Sequence, residues 1–261
     1  MTESEIRLRL LESRHSVRSF TENKIDANIA NKLRAEISMT NSHEQGMRFQ
    51  LVLDDAAPFK GYGRSYGIFE NARNYLAAVV DVATPDAYER AGYFAERFVV
   101  KAISLGLGTC FVGGTFDTAK AKVQVRAGER ILFLVAIGMP SEKERPVAAV
   151  MRMIAHRKKM TYSDFFIPSS DIDKASKIYP FIIAGLKAVA CAPSALNRRP
   201  VRIHIKQEES SSELCAFVKE DDRRMLIDLG IAKYNFNYAT STCCDWGNDS
   251  SLICDYGKND W

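Results

Sequence analysis

Apolar positions along the chain switch between a helical and an alternating period, and the switches lay out the elements. Residues 3–13 carry Ile6, Leu8, Leu10 and Leu11 among charged neighbours, a helical pattern. Asp26 stands as an N-cap for a helix reaching about Ser38, with Ile29, Leu33 and Ile37 on one face. RFQLVL (48–53) alternates as a half-buried strand, whereas YLAAVVDV (75–82) is continuously apolar, as a buried strand is. Gly61, Gly63 and Gly67 mark the loop between them. Pro85 opens a long helix to about Leu105, carrying Phe94, Phe98 and Ile103. It closes at LGLG, where Gly106 and Gly108 suit a left-handed C-cap. TCFVGG reads as a short strand entering a glycine turn, and 117–122 as a short helix. RILFLVAIG (130–138) is the best central strand.

Residues 141–170 break this order with the polar SEKERP and the basic RMIAHRKKMTYSDFF; Ser169, Ser170 and Asp171 mark a connection. The pattern then restarts. A helix over 179–191 leads into the loop APSALNRRP (192–200) and the strand VRIHI (201–205). A long helix over 221–240 turns Leu226, Leu229, Ile231 and Phe236 inward, and the tail is polar except for one strand-like piece. The restart suggests a weak internal repeat. KLRA (32–35) matches GLKA (185–188), RFQL (48–51) matches RIHI (202–205), and Gly92 with Phe98 answers to Gly230 with Phe236. Coincidence of helix–loop–strand order explains the pattern almost as well, so the contents of the loops decide.

Composition narrows the function classes. With 261 residues, 46% apolar and 26% charged, the chain can bury a core without disulfides or a metal. The net charge of +4 is dispersed, and no Lys/Arg tract resembles a nucleic-acid arm. That argues against a nucleic-acid groove and for a local site that takes a small anion. The longest apolar run, ILFLVAI (131–137), is too short to span a bilayer, and MTESEIRLRLLES has no apolar signal core. The six cysteines form no CxxC pair and no Cys/His metal spacing, and His15, His43, His156 and His204 are scattered. The expectation is a cytoplasmic protein with reduced thiols, no metal and no membrane or nucleic-acid partner.

Three stretches carry candidate chemistry. In SRHSVRSF (13–20), Arg14, Ser16 and Arg18 alternate, so an extended backbone presents them on one face. Two guanidiniums and a hydroxyl there suit a phosphate. Arg157 and Lys158 are candidates to complete it; the competing reading is charged surface. In GLGTCFVGG (106–114) the glycines permit close backbone approach to a flat ligand, although a helix cap and turn need the same residues. No GxGxxG or Walker motif accompanies them. In APSALNRRP, Pro193 and Pro200 stiffen a loop in which Ser194 and Asn197 offer donors and acceptors suited to a heterocycle edge; a helix stop and turn is the bland alternative. Together they describe a mononucleotide that itself carries the chemistry, since no acid/base pair, nucleophile or metal set is visible.

With these motifs the sequence resembles the FMN-dependent nitroreductase family, in particular its TM-nitroreductase branch. SRHSVRSF is similar to the family's R-x-S-x-R-x-F opening, LGLGTCFVGG to its glycine segment and RILFLVAIGMP to its strand ending in G-x-P. HRKK is similar to its late R-K motif, and APSALNRRP to its P-S-x-x-N-x-Q-P loop. The resemblance implies an α+β fold with a central, mainly antiparallel sheet flanked by helices, and a non-covalent FMN. It implies that Arg14, His15, Ser16 and Arg18 hold the phosphate and ribityl, assisted by Arg157 and Lys158. Val112, Gly113 and Gly114 would face the isoalloxazine, and Pro193, Ser194 and Asn197 its pyrimidine side. In the family the P-S-x-x-N loop lies early; here MTNSHEQGMRF (39–49) stands in that place, and the good copy lies in the second half. Arg199 and Val201 replace the usual Gln and Trp. The chain therefore reads as a fused, decayed duplication, one continuous domain of two halves (1–160 and 161–261) that mimics the family's dimer and holds one FMN.

The function this implies is hydride transfer from NADH or NADPH to the flavin, then reduction of a nitroaromatic, quinone or similar small planar acceptor, by a monomer or weak homodimer. No catalytic side chain is assigned. Arg199 or a backbone group is the candidate donor near N1/O2, and Tyr62, Tyr66 and Phe111 are read as packing rather than as the open flavin face. A flavin store or sensor without turnover, and a remnant that binds nothing, are the alternatives.

Overall fold

The computed structural model describes residues 1–60, 68–142, 160–207, 211–219 and 222–254. They fall into two compact units. One comprises Met1–Ser13, Tyr88–Glu96 and Arg157–Trp261, and the other Arg14–Ala87 and Arg97–His156. Antiparallel sheets and helices make the fold α+β, as expected.

In the second of these units, β1 (Met47–Val52), β2 (Tyr75–Asp81), β3 (Gly108–Val112) and β4 (Glu129–Gly138) form an antiparallel sheet in the order β1-β2-β4-β3. The two most apolar runs are the two central strands, since only a strand covered on both faces buries every side chain. Residues Tyr75 to Val80 are all buried. Helix α2 (Ala27–His43) starts where Asp26 Oδ1 accepts from Asn28 N at 2.8 Å. It runs a turn beyond the expected Ser38. The reason is Asn41, whose side-chain amide donates to Phe49 O and accepts from Phe49 N, tying the polar last turn to β1.

Residues 16–21 run as an extended segment beside this sheet. Ser16 bridges Thr109 in parallel, and Val17 N donates to Thr109 O at 2.9 Å. Phe20 N donates to Glu70 O, and Thr21 N to Met139 O. The approach is close: a β-carbon on Gly108 would lie 2.8 Å from the Val17 side chain. Gly108 is thus a packing glycine at the head of β3, not part of a helix cap. Gly106, at φ +81°, alone takes the left-handed turn expected of the pair.

The other unit is built from α1 (Glu3–Ser13), the Tyr88–Glu96 stretch of α3 (Ala87–Ser104), α4 (Ile172–Ile178), α5 (Ile182–Cys191), α6 (Arg223–Thr240) and the sheet β5-β6-β7 (Arg202–Gln207, Ser212–Phe217, Ser250–Ser251). Its core holds Phe165, Ile182, Leu186, Ile203, Leu229 and Phe236. Three expectations need correction here. The single helix over 179–191 is preceded by a separate α4, because Tyr179–Phe181 form a break closed by Ile182 N donating to Tyr179 O. Strand β6 is present where the sequence reading has no element; Ser212–Phe217 pairs with β5 and buries Leu214, Cys215 and Ala216. Cys243 and Cys254 are a disulfide with Cα atoms 5.4 Å apart, not two reduced thiols. The other four cysteines form no disulfide.

Helices α3 and α6 meet at two glycines in a reciprocal way. A β-carbon on Gly92 would lie 2.2 Å from Ile227 O, and one on Gly230 would lie 1.9 Å from Glu89 O. Each glycine thus faces the carbonyl three residues before the other. One turn on, Lys233 is fully buried and donates to Glu89 Oε1, Asp245 O, Gly247 O and Ser250 Oγ. Glu89 Oε2 in turn accepts from Gly247 N at 2.8 Å. A buried charge pair is tolerated when its remaining donors and acceptors are met, as here. Among the described residues no helix is long and apolar enough to cross a membrane.

Gly230→Ala must separate two helix backbones. We expect a loss of about 3 kcal/mol or more in urea unfolding, while Gly114→Ala, with nothing within 4 Å of the new carbon, stays within about 0.5 kcal/mol. Equal midpoints for the two variants would contradict the crossing.

Candidate functional site

The first cluster is built by the extended 16–21 segment. Its backbone is committed to β3 and to residues 70 and 139, so alternation sends Val17 into the core and Ser16 and Arg18 the other way. The charges of Arg14 and Arg18 and the Ser16 hydroxyl all act on the Cys110 thiol of β3. Burial raises the thiol's pKa, while the Arg18 charge, a hydrogen bond from Ser16 and the Arg14 charge act against that rise. Neither arginine has a salt-bridge partner among the described residues, and Arg14 Nε is buried with no hydrogen-bond partner. Two guanidiniums with an unanswered buried donor fit an anion with several oxygens, because leaving such a donor unmet is unfavourable. His15 is exposed. Sequence reasoning missed Cys110 because a buried cysteine in a strand carries no sign of what lies over it.

The glycine turn lies at the other end of the same strand. Val112 buries its side chain and pairs with Leu134, so only its backbone can face a ligand. Gly113 and Gly114 are exposed, have no positive φ, and a β-carbon on either meets nothing within 4 Å. Neither the chain's packing nor its dihedrals require glycine at these positions. Close approach of a flat group would. Phe111 packs on Phe133 with ring centres 5.5 Å apart, which agrees with the packing role expected of it. Arg157, Lys158, Tyr62 and Tyr66 lie outside the described residues.

The APSALNRRP loop belongs to the unit that holds α5 and α6. It is more tightly wound than its prolines suggest, with Leu196, Asn197 and Arg199 all at φ near +50°. Its polar groups are used internally. Ser194 Oγ accepts from Arg199 N at 2.9 Å, and Asn197 Oδ1 accepts from Arg199 Nε at 3.1 Å. From α6, both oxygens of Asp228 accept from Ala195 N, at 3.1 and 3.2 Å. Pro193, Ser194, Val201, Phe165 and Asp228 line a small pocket beneath the loop. Asp228 is only 6% exposed. Burial pushes its carboxyl up to about 7, against the lowering effects of the Ala195 N–H and the Arg198 charge. Nothing in the sequence marks Asp228, since it reads as a polar position early in a long helix.

Comparison with known proteins decides the family. The family described as "Putative TM nitroreductase" matches residues 8–240. The chain belongs to this family. A nitroreductase from Thermotoga maritima has the same fold, with a TM-score of 0.57 and 20% identity over 89% of this chain and 82% of that one. A nitroreductase family protein from Clostridium novyi (20% identity, TM-score 0.41) covers 54% of this chain and 87% of its own. An FMN-dependent nitroreductase from Clostridium difficile (17%, TM-score 0.40) covers 52% and 88%. No curated protein matches the chain. Membership makes the chain an oxidoreductase.

The Asp228 carboxyl holds its proton to about pH 7, whereas an unfolded aspartate releases it near 3.8. A raised native pKa contributes stability below the unfolded value and loses it as pH climbs through the native one. Asp228→Asn removes the titration but keeps an acceptor for Ala195 N. Relative to the parent, the variant is therefore expected to gain up to about 4 kcal/mol between pH 4 and pH 8 in urea unfolding. A stability gap that is the same at both pH values would contradict the assignment.

Proposed function

We propose that the chain binds one FMN and uses it as an oxidoreductase, taking hydride from NADH or NADPH and passing electrons to a nitroaromatic, quinone or similar planar acceptor. The observation that carries the reading is the cluster of Arg14, Ser16 and Arg18, two guanidiniums without carboxylates and one buried donor without a partner among the described residues. These residues fit a phosphate, and the open space at Gly113 and Gly114 fits a ring lying against backbone. When bound, FMN supplies the hydride-accepting and electron-donating chemistry, and the protein supplies position and charge. In this reading Arg14 and Arg18 neutralise the phosphate, Ser16 donates to it with His15 nearby, and the backbone at Val112, Gly113 and Gly114 faces the ring near its N5. Arg157 and Lys158 assist at the phosphate. Assigning Pro193, Ser194 and Asn197 to the pyrimidine side rests on the resemblance of their loop to the family's. No side chain is given an acid or base role.

We read the halves 1–160 and 161–261 as a decayed duplication. The order α2-β1-β2-α3 returns as α5-β5-β6-α6, each with an antiparallel strand pair. Gly92 of α3 and Gly230 of α6 make reciprocal close contacts, each against the carbonyl three residues before the other. A second reading, a flavin store or sensor, is favoured by one observation: Ser194 and Asn197 already commit acceptors to Arg199.

Two measurements test this. Anaerobic NADH or NADPH should bleach the oxidised-flavin absorption of the FMN-loaded protein; a ring that never bleaches refutes turnover and leaves the store. Arg14→Ala combined with Arg18→Ala should lose FMN on gel filtration while remaining folded, and full flavin occupancy in that variant would refute the phosphate assignment.

A further inference from the structure

Outside the flavin reading, and independent of it, the sheet β5-β6-β7 carries a cluster that no motif announces. His204 of β5 and Cys215 of β6 are directly opposed in the antiparallel register. Ile203 and Leu214 turn to the core, so alternation places His204 and Cys215 together on the other face. Asp249 reaches the same point from the turn before β7. That turn is held by Asp249 N donating to Ala216 O at 3.0 Å, with Asp249 at φ +63°. One ring nitrogen, one sulfur and one carboxylate oxygen all lie within 4.8 Å of one another. His204 Nε2 and Asp249 Oδ1 are 2.6 Å apart.

We propose that His204, Cys215 and Asp249 form a binding site for a divalent cation of the zinc class. The donor set selects the metal. A thiolate and an imidazole suit Zn²⁺, whereas Mg²⁺ and Ca²⁺ take oxygen ligands. Ligands around tetrahedral zinc stand about 3.3–3.8 Å apart, so the widest pair of donors needs to close by up to about 1.5 Å, while the direct His204–Asp249 contact opens to admit the ion. Cys215 is buried, but the side chains of His204 and Asp249 are 28% and 44% exposed, which gives the ion an entry path and water a fourth position. The surrounding charge is favourable. Burial above all, then the charges of Glu213 and Asp249, pushes the Cys215 thiol up to about 12, with Lys206 opposing. The two carboxylates draw positive charge to the site, and a cation that binds there must displace the thiol proton to solvent.

The sequence reading finds no metal spacing because the ligands are not neighbours along the chain. His204 and Cys215 are brought together by strand pairing, and Asp249 by a turn 45 residues after the histidine. The competing account is an ordinary surface ion pair beside a buried core thiol. Cobalt separates the two. Chelator-treated full-length protein is titrated with Co²⁺ and followed by difference absorption in the near ultraviolet, where thiolate-to-cobalt charge transfer appears, and Zn²⁺ is then added in competition. One equivalent of Co²⁺ should produce the band and Zn²⁺ should remove it. Cys215→Ser should abolish the band, and His204→Ala and Asp249→Asn should each weaken cobalt binding at least about tenfold. Absence of a thiolate band, or an unchanged band in Cys215→Ser, overturns the proposal. Should Cys215→Ser fail to fold, unchanged binding in both His204→Ala and Asp249→Asn overturns it equally.

Discussion

Helices α3 and α6 touch backbone to backbone, and that contact needs glycine on both sides. Gly92 and Gly230 admit each other's neighbouring carbonyls at distances no β-carbon can share. The close crossing brings Lys233 of α6 onto Glu89 of α3 in full burial, with the other ammonium donors taken by Asp245 O, Gly247 O and Ser250 Oγ. Glu89 also holds Gly247 N, so the same pair fixes the loop that leads into β7. That loop carries Asp249, and α6 also carries Asp228 beneath the APSALNRRP loop. Removing either charge would leave its partner buried and unpaired, the costly case for such a pair.

A different constraint governs the anion site. The 16–21 segment donates its backbone to Thr109, Glu70 and Met139, and Gly108 lets Val17 press onto β3. With the backbone so committed, alternation sets the direction of Ser16 and Arg18. The Arg14 and Arg18 charges act on Cys110, and among the described residues neither has a carboxylate partner. The two stretches read as flavin contacts differ in this respect. Arg14 keeps a buried donor unanswered, whereas Ser194 and Asn197 are already engaged by Arg199.

Much of this was legible in the sequence. The buried strands at 75 and 130, the Asp26 cap and the two long helices follow from period and capping chemistry, and Arg14, Ser16 and Arg18 from alternation alone. The matching of Gly92 with Gly230 is a sequence observation that acquires a physical meaning in the helix crossing. Other features were hidden for stated reasons. The last turn of α2 depends on Asn41 bonding to Phe49 of the strand that follows it, a contact that neither apolar period nor capping pattern reveals. Strand β6 has a mixed face, with Cys215 buried opposite His204. The Cys243–Cys254 disulfide spans 11 residues with no motif to suggest it. Cys110, Asp228 and the cation cluster become visible only when distant segments meet.

The central claim is that a duplicated chain retains a single flavin site, gripped at its phosphate by the N-terminal segment. Titrating the flavin-free protein with FMN, followed by flavin fluorescence and checked by equilibrium dialysis, tests it most directly. The account predicts saturation at one FMN per chain. Two FMN per chain, or none, would contradict it.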